Sequence, residues 1–145
     1  MSNVDITTFS TPIAQAEMRE QPHNIEAEQG LLGAILINNR AFEKVSDFLH
    51  SEHFSDPVHG KIFEACGKLI ERGQIANPVT LKPIFDNEEA LAEAGGANYL
   101  VQLAASVVTV VNAEDYGKSI KDSFLRRELI AVSYTHLRAH ETREY

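Results

Sequence analysis

The 145-residue chain is predicted to be all-α, a compact bundle of about six helices. Three observations say so. Apolar residues recur at helical spacing along most of its length. Capping and breaking residues fall between those runs. The one β-like run, Val107-Val108-Thr109-Val110-Val111, finds no partner strand and reads as a buried connection between helices.

The first helix is expected after Asn24, whose side-chain oxygen can accept a free backbone N–H of the first turn. Glu26 and Glu28 place negative charge where the helix dipole is positive. Ile25, Leu31, Leu32, Ile35 and Leu36 share one arc, while Ala27, Gly30 and Ala34 form a stripe of small residues. Because glycine costs roughly 1 kcal/mol against alanine inside a helix, Gly30 and Gly33 suggest that another backbone packs close. Asn38 or Asn39 can cap a second helix through Ala41, Phe42, Val45, Phe48 and Leu49, and His50 to Ser55 reads as a connection. Asp56-Pro57 is a cap followed by proline at the first helical position. The helix it starts carries Val58, Ile62, Phe63, Cys66, Leu69 and Ile70 on one face and stops at Gly73.

Pro83 would break a helix begun at Asn77, so the next is expected to be capped by Thr80 and to run from about Leu81 to Phe85. Glu88 to Ala94 adds one or two turns, stopped by Gly95-Gly96. Asn98 to Ala105 follows, with Tyr99, Leu100 and Leu103 as apolar contacts. Asn112 then caps a long helix, with Asp115 in a capping-box position. Its core stripe is Ala113, Tyr116, Ile120, Phe124 and Ile130, ending near Ala131.

The charge pattern narrows the partners. Against 13 basic side chains stand 21 acidic ones, a net charge of -8, with Asp86, Glu88, Glu89 and Glu93 crowded together. Nucleic-acid binding is driven largely by Lys and Arg on phosphates, so this domain should bind DNA weakly by itself. Protein partners are expected instead. The single Cys66 excludes an internal disulfide and fits a reducing compartment. No apolar run approaches the roughly 18 residues of a membrane span, and the N-terminus lacks a signal-peptide pattern. A cytoplasmic protein without membrane contact is expected, with residues 1–21 a polar, flexible arm.

No catalytic, cofactor-binding or metal site emerges. A phosphate-binding loop needs Gly, four residues, then Gly-Lys-Ser/Thr. Gly60-Lys61 and Gly67-Lys68 lack both the leading glycine and the hydroxyl, and Gly117-Lys118-Ser119 lacks the leading glycine. His50, His53, Asp56 and His59 lie close in sequence, but structural zinc sites usually include cysteine. Two loop histidines and one helix histidine that caps or packs locally is the plainer reading. His136, His140 and Glu141 lack the Glu directly after the first His that a zinc-protease helix requires. Cys66 reads as a small core residue, and Arg126-Arg127 as a helix-end cation pair favoured by the dipole, with DNA contact the alternative.

Several segments, in order, carry a resemblance. The run Asn24-Ile25-Glu26-Ala27-Glu28-Gln29 with Leu32-Gly33-Ala34-Ile35-Leu36 resembles the first helix of the N-terminal domain of the bacterial replicative DNA helicase, the DnaB family. Phe54, His59, Ile62-Phe63, Leu69 and Gly73 are similar to its third-helix signature. Val79-Thr80-Leu81 resembles the capped start of the next helix, although the family usually has Asp in place of Asn77. Gly95-Gly96, Tyr99-Leu100 and Leu103, and then Asn112, Ala113, Tyr116, Arg126-Arg127 and Leu129-Ile130, resemble its later segments. Gly30 departs from the commoner alanine. The resemblance spans residues 22–131 and implies a fold ending in a helical hairpin.

It also implies a division of labour. The family's full protein is a homohexameric ring whose C-terminal motor uses ATP and Mg to unwind DNA at the replication fork. Its N-terminal domain is a collar that pairs subunits and docks primase, and a helicase loader is a further possible partner. This chain would be the collar alone, inactive as an enzyme, with DNA reached through the full ring. Tyr99 and Ile130 match positions of the primase-docking surface, though they could equally close the hairpin onto the core. The alternative is a stand-alone helical adaptor that recruits replication proteins without a motor.

Residues 132–145 depart from the family. Val132-Ser133-Tyr134-Thr135-His136-Leu137-Arg138-Ala139-His140-Glu141-Thr142 resembles a one-frame translation of a transposon-based sequencing adaptor. A non-native tail following a truncated reading frame is expected, the other reading being a natural divergent tail.

Overall fold

The computed structural model describes residues 24–86, 88–106 and 113–143, with side chains described as far as 133. Seven helices and no strand occur among the described residues: α1 (Ile25–Ile37), α2 (Arg40–Val45), α3 (Pro57–Glu71), α4 (Pro78–Phe85), α5 (Glu89–Ala94), α6 (Ala97–Ala105) and α7 (Ala113–Arg143). A single 3-10 turn, Ser51–His53, lies between α2 and α3. The arm, the Val107–Val111 connection, the Asn112 cap and the side chains of His136, His140 and Glu141 lie outside the described residues.

α1 is the centre of the bundle. Asn24 caps it by accepting from the Ala27 amide at 3.1 Å. The expected single apolar arc is too narrow a description, because Leu31 to Leu36 are all buried, six positions in succession. A helix apolar on every side is one surrounded by neighbours. α3 and α6 pack on it, and so does α7. The small stripe receives a ring where a second backbone was expected: a β-carbon on Gly30 would stand 3.0 Å from the Tyr116 ring.

α2 is shorter than expected, ending at Val45, and Asn39 makes no side-chain cap. Its amide is committed elsewhere. Nδ2 donates to the Ile35 and Ala76 carbonyls, both at 2.8 Å, and Oδ1 accepts from the Ala76 N–H at 2.9 Å. Ala76 is fully buried, so this one side chain satisfies a loop backbone that water cannot reach. Asn39→Ala should therefore lower stability by about 2–3 kcal/mol, two buried backbone groups losing their partner. Urea denaturation reads this directly, and a loss under about 0.5 kcal/mol would show that the loop finds other partners.

α3 starts and stops as its sequence requires. Asp56 accepts from the Val58 amide at 2.9 Å. At the other end Gly73, at φ +75°, lets Gln74 N–H reach the Leu69 carbonyl and its own N–H reach Ile70. That pair of bonds is the Schellman stop. α4 corrects the expected Thr80 cap. Asn77 is the cap, and it exchanges hydrogen bonds with Thr80, amide to side chain in both directions at 2.9 Å. Pro83 then lies inside the helix. The N–H it lacks would have met the Val79 carbonyl, and Val79 is 79% exposed, so water can take that role.

α7 is long, 31 residues or about 46 Å at 1.5 Å per residue. Its first four turns pack on the body through Ala113, Tyr116, Ile120 and Phe124. Gly117 allows the closest approach, since a β-carbon there would stand 2.6 Å from Val45 Cγ1. Leu125, Leu129, Ile130 and Val132 are all more than half exposed. Ile130 is thus not a core residue, and the helix continues beyond Ala131 to Arg143.

Candidate functional site

The most concentrated chemistry in the molecule is a buried polar cluster where α1, the start of α3 and α6 meet. Glu28 and His59 are each 1% exposed. Glu28 Oε2 accepts from the Ser55 amide at 2.9 Å and the Ser55 hydroxyl at 2.7 Å. Its Oε1 accepts from the Asp56 amide at 3.3 Å and faces His59 Nδ1 at 2.8 Å. On the far side of the imidazole, Nε2 meets the Tyr99 hydroxyl at 2.5 Å. The two rings stack nearly parallel, 8° apart with centroids at 5.9 Å. Gln29 Nε2 completes the chain by donating to the Tyr99 oxygen at 3.4 Å.

Electrostatics assign the protons. Burial alone would raise the Glu28 carboxyl, but hydrogen bonds from His59, from the Ser55 side chain and from the Ser55 and Asp56 amides outweigh it, and the group is held below its ordinary range. An ionised carboxylate only accepts, so His59 Nδ1 carries a proton. On the far side of the ring Nε2 takes the hydrogen bond of the Tyr99 hydroxyl proton. The phenol can supply that proton, because burial, with help from the charges of Asp56 and Glu28, pushes it above its usual value. Every member has a partner.

This cluster is only half visible in sequence. Glu28 reads there as a charge favoured by the helix dipole, and His59 as one of four residues that might bind metal. In the structure His59 serves the carboxylate and the phenol. His53 instead accepts from the His50 amide at 2.9 Å and packs on Phe124, centroids 4.6 Å apart. Burial, followed by the neighbouring His50, holds His53 below the ordinary histidine range. Cys66 is buried in the core and its thiol is pushed up to about 12 by burial, which leaves it unreactive.

The two residues singled out for partner contact fall in different settings. Tyr99 is half-buried with its hydroxyl bonded to His59 and Gln29. Ile130 stands 56% exposed on the outer part of α7. The arginine pair is also redefined, because the helix does not end there. Arg126 pairs with Asp122 at 3.4 Å on the surface, and Arg127 donates to the His53 carbonyl at 2.9 Å beside the Phe124 ring. All three Gly-Lys pairs lie inside α3 or α7, where backbone amides are spent on helix bonds and cannot cradle a phosphate.

Fold and cluster together define an all-α domain whose polar centre holds its own helices together. Residues 20–122 match the family model described as the DnaB-like helicase N-terminal domain. The chain belongs to that family. It is 46% identical over 114 residues to the replicative DNA helicase DnaB of Rickettsia felis, covering 79% of this chain and 23% of that one. The N-terminal domain of DnaB helicase from Mycobacterium tuberculosis superposes with a TM-score of 0.74 at 31% identity, covering 81% of this chain and 85% of that one. A DnaB-like replicative helicase, solved with attention to its interactions with primase, superposes at 0.67 with 27% identity, covering 82% of this chain and 28% of that one. The chain thus spans about a quarter of the length of the curated relatives it matches.

Proposed function

We propose that this chain is the collar domain of a hexameric replicative DNA helicase and offers a docking surface to primase. ATP, Mg and the unwinding of DNA then belong to a motor outside these residues, and a loader would be a further partner of the whole ring. The domain itself is taken as residues 22–131, preceded by an arm at 1–21 and followed by a non-native tail at 132–145. A cytoplasmic setting belongs to the same reading; among the described residues no helix is long and apolar enough to cross a membrane.

The observation that carries the docking role is the outer face of α7. Leu125, Leu129 and Val132 follow at helical spacing with Ile130 beside them, all more than half exposed, on the stretch that flanks and follows the Arg127 contact to the body. An exposed apolar helix face can bury a few anchors against a partner helix. Ile130→Ala should weaken binding of the cognate primase C-terminal domain about tenfold, as the loss of one aliphatic anchor does, with helicity unchanged. Titration calorimetry with the folded variant checks it. Tyr99→Ala is a poorer probe, since it also dismantles the His59 contact. Unchanged affinity in Ile130→Ala would place the docking surface elsewhere on the domain.

A further inference from the structure

We propose that Tyr99 is a latch holding α6 against the body of the domain, with Gly95-Gly96 as the hinge on which that helix lifts. α6 packs chiefly on α1, with Ala104 partly buried against the core. Leu100 and Leu103 are its buried apolar residues, and its other polar side chains, Asn98 and Gln102, are exposed. Tyr99 alone among them reaches the body, touching α3 through His59 and α1 through Gln29. Immediately before the helix, Gly95 and Gly96 both take positive φ, +119° and +63°. Such a pair can absorb a large change in backbone direction, as hinge residues do.

The latch is built from the inside. Glu28 is fixed by the two amides and the hydroxyl at the start of α3, and it orients His59 by accepting from Nδ1. Nε2 is thereby presented to α6 at a set position. Removing the Tyr99 hydroxyl leaves that nitrogen buried without a partner, a penalty borne only while α6 stays down. Lifting α6 exposes His59 to water and relieves it. The opening should therefore be local, confined to the latched helix. It rests on this geometry and holds whether or not a primase lands nearby.

Amide hydrogen exchange on the full chain tests the idea. In Tyr99→Phe, peptides from residues 97–105 should exchange about tenfold faster, while those from residues 57–71 stay within about twofold. Equal acceleration in both regions, or none in 97–105, overturns the latch. The wild-type chain supplies a second reading that needs no variant. In low urea, exchange of 97–105 should depend only weakly on denaturant, as local opening does, whereas 57–71 should follow the steep slope of global unfolding. A shared steep slope would mean that α6 opens only with the whole domain.

Discussion

Glu28→Ala is expected to destabilise the domain by about 3–5 kcal/mol, because four donors lose a charged acceptor at roughly 1–3 kcal/mol each, with some of that recovered by relaxation. The carboxylate has four hydrogen-bond partners, two of them backbone amides at the start of α3. Alanine accepts none of them and leaves a buried imidazole without its acceptor. Urea denaturation at neutral pH measures the loss, and a value below about 1 kcal/mol would mean that water enters and replaces the carboxylate.

The same carboxylate makes stability depend on pH with a defined sign. Its pKa in the folded state is depressed, so its contribution is complete above the unfolded value of about 4.3. That contribution is lost as pH falls through the lower, folded value. His53 acts in the same direction in an earlier window. Its folded pKa is also depressed, so stability declines as pH drops below the unfolded histidine value of about 6.5. The difference between wild type and Glu28→Ala should therefore be widest at neutral pH and shrink in acid. A difference that grows on acidification would contradict the assignment of a charged Glu28.

Phe63→Ala is the second large effect, about 3–5 kcal/mol, by loss of transfer energy and creation of a cavity. Phe63 is 4% exposed and joins two other rings, Phe42 at 5.1 Å and Phe54 at 5.0 Å between centroids. These three rings link α2, the loop before α3 and α3 itself. Because no titrating group is removed, the loss should be nearly the same at pH 7 and at pH 3, unlike that of Glu28→Ala, which shrinks below the carboxylate's unfolded value. A cost under about 1.5 kcal/mol would show that the site collapses around the missing ring.

What was legible in sequence was whatever is decided within a few residues. Asn24, Asp56-Pro57, Gly73 and Gly95-Gly96 mark helix ends by satisfying or releasing local backbone groups, and each does so in the structure. The apolar spacing of α3 likewise names its buried face, Ile62, Phe63, Cys66 and Leu69. Local rules misled where two of them competed. Pro83 argued against a helix from Asn77, yet the reciprocal bonds with Thr80 and the exposed position of Val79 tolerate it.

Tertiary structure decided the rest. Glu28 is indistinguishable in sequence from a dipole-favoured surface acid, because its burial depends on His59 arriving 31 residues later and Tyr99 later still. Asn39 has the composition of a cap, but Ala76 recruits it from 37 residues away. Ile130 fits a helical core stripe, and only the assembled fold shows that it is more than half exposed. Sequence by itself determined the helices, the ends set by Asn24, Asp56-Pro57, Gly73 and Gly95-Gly96, and the family, since these rest on short-range backbone chemistry and periodicity. Which polar groups became interior and which apolar ones remained outside was settled by packing, because burial belongs to the assembled helices and to no single segment.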